Sequence, residues 1–157
     1  MSLNSTKANI EDSQIIESLI AKTIDKSFRG YYSEEARTFL KKRVQSIKQI
    51  KGSFKFGDVY LFKDNDGNLI GTGSILTSKI TRVYLSPEYQ HKGYGKTIMR
   101  YLENIAIKKG IKTILGDALL TSISFLVSMG WEVIEDTTYS IPNNQKVYMF
   151  KMKKDLF

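Results

Sequence analysis

Residues 86–97 have the clearest chemical potential in the chain. They read Ser-Pro-Glu-Tyr-Gln-His-Lys-Gly-Tyr-Gly-Lys-Thr and join a predicted strand, Lys79–Leu85, to a long helix that opens at Gly93. A helix that follows a strand in this way leaves several backbone N–H groups unpaired at the positive end of its dipole, where an anion is favoured. The glycines let a phosphate approach the backbone closely, and Lys92 and Lys96 add charge. The stretch therefore predicts a phosphate site, the alternative being a tight turn without a ligand.

Two well-known phosphate loops do not fit this stretch. A P-loop requires Gly-x-x-x-x-Gly-Lys-Ser/Thr, and its first glycine falls on Gln90. A dinucleotide fingerprint requires Gly-x-Gly-x-x-Gly, and its third glycine falls on Ile98. The earlier Gly71-Thr72-Gly73 fails in the same way at Leu76, so it predicts a bulge or a close approach within a strand.

The spacing that remains is Gln-x-x-Gly-x-Gly, from Gln90 to Gly95. It resembles the coenzyme A loop of the GNAT acyltransferases (GCN5-related N-acetyltransferases), which begins their central helix. A second stretch, Phe125–Trp131, reads Phe-Leu-Val-Ser-Met-Gly-Trp and is similar to that family's Phe-Tyr-x-x-x-Gly-Phe. The two motifs cover about a third of the chain, and the order of predicted elements fits the family over nearly all of it.

The resemblance implies acetyl-CoA as co-substrate, with no metal. The end of the strand before the loop would hold the pantetheine arm through its backbone, and an unpaired N–H near Leu85 would polarise the thioester carbonyl as an oxyanion hole does. The loop would hold the pyrophosphate through its N–H groups. The implied cofactor-binding residues are Val83, Tyr84, Leu85, Gln90, His91, Lys92, Gly93, Tyr94, Gly95, Lys96, Ser122 and Phe125.

The implied reaction is direct transfer of the acetyl group to an amine, and the absence of cysteine agrees with a route that has no thioester on the enzyme. For the base that deprotonates the amine we expect Asp117, with a capping or surface role as the alternative. Many family members protonate the leaving thiolate with a tyrosine, but that position is Leu126 here. Tyr139 is our candidate acid, with Ser122, Ser124 and Tyr84 as further substitutes.

The family binds its acceptor between the first two helices. Here that segment supplies Phe28, Arg29, Tyr31 and Tyr32, and the loop at 140–145 would form the opposite wall. Ordinary packing is an equally good explanation for these aromatic residues. The expected partner is a small-molecule or peptide amine, and polyamines, amino acids, aminoglycoside-like drugs and protein amines all remain open.

The predicted elements alternate between strands and helices. Strands are expected at Thr6–Ile10, Val59–Lys63, Leu69–Leu76, Lys79–Leu85, Thr113–Asp117, Trp131–Tyr139 and Lys146–Lys153. Helices are expected after Asp12 or Ser13, after Ser33, after Gly93 and over Ser122–Met129. This order indicates an α/β (α+β) layer fold. The resemblance specifies a mixed, mostly antiparallel sheet with splayed strands 4 and 5 and flanking helices, in a single N-acetyltransferase domain over residues 1–157.

Composition limits the remaining possibilities. The chain has 157 residues, no cysteine, one histidine (His91) and a net charge of +8, which excludes Cys- or His-rich metal sites and favours an anionic partner. No apolar span or secretory leader is evident, so we expect a cytoplasmic protein. Residues 36–57 carry basic side chains and no acid; a solvated helix face is the preferred explanation, and nucleic-acid binding is not expected. A coenzyme A-binding regulatory module is the main alternative function, and a homodimer stays open.

Overall fold

The fold is built on a seven-stranded sheet in a computed structural model that describes residues 3–157. The strand order is β1-β2-β3-β4-β5-β9-β6, and every neighbouring pair is antiparallel except β4 and β5, which run parallel. This confirms the predicted mixed, mostly antiparallel sheet with helices on its faces. No helix within residues 3–157 is long and apolar enough to cross a membrane.

The strands are β1 (Asn4–Lys7), β2 (Gly57–Lys63), β3 (Leu69–Leu76), β4 (Lys79–Leu85), β5 (Thr113–Leu119), β6 (Glu132–Asp136), β7 (Tyr139–Ile141), β8 (Gln145–Val147) and β9 (Met149–Asp155). The helices are α1 (Ser13–Ser27), α2 (Glu34–Phe39), α3 (Ile47–Ser53), α4 (Tyr94–Lys108) and α5 (Ile123–Ser128). Strands β7 and β8 form a separate two-stranded hairpin.

Both faces of the sheet are covered, so alternate residues of the inner strands face two different cores. On the α1 face, α1, α2 and α3 pack over Val59 and Leu61 of β2. On the α4 face, α4 and α5 pack over Tyr60 and Phe62 of the same strand. These two sides of the sheet are the α1 face and the α4 face.

Strands β2 and β5 are each two residues longer than predicted, and three other predicted strands end early or break. The first ends at Lys7, not Ile10, because Asn9 opens a helical turn in which its N–H donates to the Asp12 carboxylate at 2.9 Å. The strand predicted over Trp131–Tyr139 breaks where the Asp136 carboxylate accepts from the Thr138 N–H at 2.9 Å. The last predicted strand breaks at Tyr148.

The basic segment is not one continuous helix. A π-helical turn at Leu40–Val44 follows α2, and Ser46 then caps α3 by accepting from the Gln49 N–H at 3.3 Å. Two of its cations have partners, since Arg37 donates to the Tyr32 carbonyl and Lys41 pairs with Asp25. The buried residues on the inner side of this segment are Ala36, Leu40, Gln45, Ile50 and Ser53.

Candidate active site

The parallel strands β4 and β5 are joined only at their beginnings. Their pairing is limited to Lys79 with Leu115 and Ile80 with Gly116, and β5 then continues to Leu119 beside β9 alone. The two strands run in the same direction, so they separate towards their carboxyl ends. Ligands of α/β sheets bind where neighbouring strands part in this way. The gap between the two strands beyond Ile80 and Gly116 is the split.

The open edge of β4 presents backbone groups to the split. The Ser86 N–H bonds to Ile70 of β3 at 2.8 Å, so strand alternation turns the Leu85 N–H to the other side, towards the split. A bulge opposite Gly73 further disturbs β4, because Thr72 pairs with Tyr84 while Ser74 pairs with Thr81. A free N–H beside the end of β4 is what a polarised thioester carbonyl needs.

The glycine loop after β4 forms an anion cradle. Gly93 has φ +91° and precedes α4 as its N-cap, while His91 also has a left-handed backbone at φ +60°. None of the backbone N–H groups from His91 to Lys96 donates a hydrogen bond within residues 3–157. Lys92 and Lys96 are exposed beside them. The loop therefore has the donors and charge that a pyrophosphate requires.

Side chains around the loop hold it against β4 and α1. The Gln90 amide donates to the Leu85 carbonyl at 2.9 Å, so this side chain braces the loop. Glu88 accepts from Lys22 of α1 at 2.5 Å and from the Ser86 hydroxyl. These hydrogen bonds, that of Lys22 first, lower the pKa of Glu88 to about 2. These side-chain hydrogen bonds hold the loop against β4 and α1.

Helix α5 borders the loop through one aromatic ring. A Cβ atom on Gly95 would lie 3.6 Å from the Phe125 ring, so the ring lies against the loop. Phe125 is 37% exposed and is therefore not a core residue. Ser122 is the N-cap residue of α5, and its hydroxyl accepts from the N–H of Leu119, which precedes the helix, at 3.2 Å. Leu126, at the family's tyrosine position, is buried in the α4-face core. Its side chain offers no proton to a leaving thiolate.

Asp117 lies on the α1 face at the base of the split. Ile114 and Ala118 point into the α4-face core, so alternation places Asp117 on the opposite side. Its carboxylate forms an ion pair with Lys79, the first residue of β4, and both side chains are partly exposed. A carboxylate at this position can accept a proton from an amine that approaches on the α1 face.

Arg82 lies on the same face, one residue after Thr81 on the open part of β4. Its guanidinium donates to the Gln45 side-chain oxygen at 2.7 Å, to the Ser53 hydroxyl and to the Val44 carbonyl at 3.4 Å. Burial lowers the pKa of the guanidinium, and no carboxylate within residues 3–157 forms an ion pair with it. Its backbone is left-handed at φ +51°, which marks a strained position next to the split.

Tyr84 is fixed by the same group of residues. Its hydroxyl accepts from the Gln45 amide at 3.2 Å, and its ring stacks on Phe28 with centroids 6.2 Å apart. Burial raises the pKa of Tyr84 well above its usual range. The hydroxyl therefore stays protonated and bound to Gln45.

The loop between α1 and α2 crosses from β4 to the end of β5. Tyr32 packs against Phe28, and its hydroxyl accepts from the Leu120 N–H at 2.8 Å and donates to the Tyr148 carbonyl at 2.7 Å. Arg29 donates to the Asp25 carbonyl at 2.7 Å, while Tyr31 is mostly exposed. Of the predicted acceptor residues, Phe28 and Tyr32 thus form the floor of this region and Tyr31 its exposed rim.

The hairpin β7–β8 borders the same region. The Ser33 hydroxyl donates to the Gln145 side-chain oxygen at 2.5 Å, which ties the hairpin to the start of α2. Tyr139, the predicted acid, is half exposed, and its ring packs against Phe39 with centroids 5.5 Å apart. Its hydroxyl has no hydrogen-bond partner in the described part of the chain, residues 3–157.

Replacing Tyr32 with phenylalanine should lower the free energy of unfolding in urea by about 2 kcal/mol, because the Leu120 N–H and Tyr148 carbonyl lose a buried partner. Burial raises the pKa of Tyr32 from 10.0 to about 12, so the folded state holds this proton more tightly than the unfolded chain. The stabilisation is complete below pH 10 and is lost as the pH rises towards 12. Tyr101→Phe, on the α4 face, is the control, and equal losses in both variants would contradict the assignment.

Sequence reasoning did not single out Lys79, Arg82 or Gln45. One indication of Lys79 and Arg82 was present in the sequence, because they are the charged residues in a strand that is otherwise mostly apolar. Their roles depend on partners distant in sequence, since Gln45 and Arg82 are 37 positions apart. Among residues 3–157, no cluster of three or more His, Cys, Asp or Glu side chains could hold a metal ion.

Comparison with known proteins gives this geometry a context. The sequence model of the acetyltransferase (GNAT) family matches residues 22–131. A spermidine N(1)-acetyltransferase from Thermoplasma acidophilum is 30% identical in an alignment 120 positions long, which covers 71% of this chain and 74% of that protein.

Solved structures resemble the fold over its whole length. The PaiA N-acetyltransferase of Thermoplasma acidophilum, in complex with coenzyme A, is 25% identical with a TM-score of 0.74 and 99% coverage of both chains. A GCN5-related N-acetyltransferase from Rhodopseudomonas palustris has a TM-score of 0.87 at 19% identity, with 99% of this chain and 96% of that chain covered.

Proposed function

The chain belongs to the GNAT family of acetyltransferases, and we propose that it binds acetyl-CoA at the loop after β4 and acetylates a small amine that enters from the α1 face. As a member of this family it transfers the acetyl group of acetyl-CoA directly to an amine. The observation that carries the assignment of the site is the split between β4 and β5, which opens beside the unpaired N–H groups of His91–Lys96.

The two faces of the sheet have different roles, one in binding acetyl-CoA and the other in binding the acceptor. The anion cradle begins α4, which packs on the α4 face, so the pantetheine arm enters the split from that side and the thioester lies between the strands. The open edge of β4 between Thr81 and Leu85 then faces the thioester carbonyl. Asp117, on the α1 face, meets the acceptor and takes a proton from its ammonium group.

The leaving group has no dedicated acid in this scheme. Leu126 replaces the family's tyrosine, and Tyr84 is held in its hydrogen bond with Gln45. A thiol is acidic enough to leave as a thiolate near neutral pH, so the transfer does not require an acid. Tyr139, the acid expected from the sequence, stays a prediction, and this route does not require it. The cytoplasmic location expected from the sequence also stays a prediction, and a homodimer stays open.

A thermal-shift series followed by a thiol-release assay tests the proposed function. Acetyl-CoA at 100 times its Kd should stabilise the protein by about 2.7 kcal/mol, because it binds the folded state alone. Thiol release should then depend on an added amine, and spermidine belongs in the amine panel because a relative carries that name. Stabilisation without amine-dependent release would favour a coenzyme A-binding module, and no stabilisation would contradict the proposed site.

A further inference from the structure

The ion pair between Lys79 and Asp117 has a charge pattern that an acceptor can match. One cation and one carboxylate lie side by side on the α1 face, where β4 and β5 begin to part. Both side chains are partly exposed, so they are accessible from that face. An acceptor that carries a positive and a negative group close together can bond to both partners at once.

The neighbouring residues add positive charge on the same face. The Arg82 guanidinium donates only to neutral oxygens and forms no ion pair within residues 3–157, although the charge of the Asp117 carboxylate acts on it from nearby. Lys151 of β9 is the cross-strand neighbour of Asp117 and also lacks an ion pair in the described chain, while Glu135 of β6 is its neighbour on the far side. Two cations thus flank the ion pair, with one further carboxylate beyond them.

This environment disfavours a polycation. A polyamine would place several positive charges beside Lys79, Arg82 and Lys151. The nearby carboxylates are Asp117, which is already paired with Lys79, and Glu135 beyond Lys151. A negative group on the acceptor, in contrast, would meet cations that are only partly neutralised. Like charges brought together cost free energy, so the pattern selects against the polyamine.

We propose that the acceptor is a free amino acid or a close zwitterionic analogue, with its ammonium on Asp117 and its carboxylate on Lys79 beside Arg82. The inference rests on the proposed entry of the acceptor from the α1 face. The carboxylate is a handle that orients the amine towards the split and is unchanged by the reaction. Lys79 is then a specificity-determining residue.

The transfer balances with these groups. Asp117 takes one proton from the acceptor ammonium, and the freed nitrogen lone pair forms the bond to the acetyl carbon. The bond between that carbon and sulfur breaks, and its electron pair stays on sulfur. The nitrogen loses its second proton, the thiolate gains one, and Asp117 returns its proton to solvent. The products are the N-acetyl amino acid, coenzyme A and one released proton.

The test compares each of the twenty common amino acids with its carboxamide, and includes spermidine, with product measured by mass spectrometry. The amide keeps the amine and the side chain and loses only the negative charge. Its amine is less basic and so more often free at neutral pH, which means that a preference for the acid opposes intrinsic reactivity. We expect kcat/KM for at least one amino acid to exceed that for its amide by a factor of 30 or more.

Lys79→Met links this preference to the residue. The variant should lower kcat/KM for the amino acid at least 30-fold and change that for the amide less than threefold. Lys112→Met, an exposed lysine just before β5, is the matched control and should leave both values unchanged. Acetyl-CoA affinity, measured by calorimetry, should be the same in all three proteins.

Three results would overturn the proposal. They are equal rates for acids and amides, preference for spermidine over every amino acid, and acetyl-CoA binding without acetylation of any amino acid. The proposed function fails separately, through absence of acetyl-CoA binding or of transfer to any amine. An unchanged preference for the acid in Lys79→Met would also remove this residue from acceptor recognition.

Discussion

Replacing Gly93 with valine is expected to raise the Kd for acetyl-CoA at least 100-fold. Gly93 has φ +91° at the N-cap of α4, a conformation that a β-branched residue adopts only with strain of about 1–3 kcal/mol. Valine there would turn the backbone and redirect the N–H groups that follow it in the loop. A 100-fold loss corresponds to about 2.7 kcal/mol, which the removal of a few charge-assisted hydrogen bonds to the pyrophosphate can account for.

Gly110→Val is a matched control for this substitution. Gly110 has φ +79° at the other end of α4, and a Cβ atom there would have no neighbour within 4 Å. Both variants therefore introduce similar backbone strain into the same helix, and both should lower the midpoint of thermal unfolding by a similar amount. The affinity for acetyl-CoA, measured by calorimetry, should fall only in Gly93→Val. Equal losses of affinity would show that the effect is general destabilisation and not a damaged phosphate site.

The loop and the split could be predicted from the sequence because the motif that indicates them is local. A strand that ends before Pro87 and a helix that begins after Gly93 define the anion cradle without any distant partner. The motif resemblance then supplied the parting of β4 and β5, which no periodicity could have indicated. Gly110, just after α4, has the left-handed backbone that is typical of a glycine at the end of a helix.

The arrangement of the α1 face was harder to predict from the sequence, because its residues meet through long-range contacts. Gln45 is an ordinary helix residue in the sequence, yet it bonds both Arg82 and Tyr84, and this explains why the basic segment breaks into α2 and α3 beside it. Tyr32 was assigned to the acceptor site from its position in the chain. Its hydroxyl also bonds to the Leu120 N–H and the Tyr148 carbonyl, so Tyr32 joins the acceptor loop to the end of β5.

Charge pairing across strands was the hardest feature to predict. Asp117 was a candidate base from its place at the end of a strand, but Lys79 is its partner only because β4 and β5 run parallel and in register over two residue pairs. A shift of the register by one residue would turn one of the two side chains to the α4 face. The identity of the residues beside the acceptor therefore depends on sheet topology as much as on the residues themselves.

Asp117→Asn is expected to lower kcat by a factor of about 100–1000, the range for loss of a positioned general base. Asparagine keeps the size of the side chain and its place beside Lys79 but accepts no proton from an ammonium group. The affinity for acetyl-CoA should change less than twofold, because the phosphate loop lies beyond the opposite end of β4. Stopped-flow thiol release with a saturating acceptor, combined with calorimetry, measures the two quantities separately.

The pH dependence of this variant distinguishes a base from a residue that only orients the acceptor. An amine with a pKa of about 10 arrives increasingly as the free base when the pH rises, so it needs less help from a carboxylate. The ratio of wild-type to Asp117→Asn rates should therefore fall as the pH increases from 7 to 10. Asp155→Asn, at the far end of β9, is the control and should leave the rate unchanged at every pH. A ratio that stays constant over this range would assign Asp117 to positioning, with water as the proton acceptor.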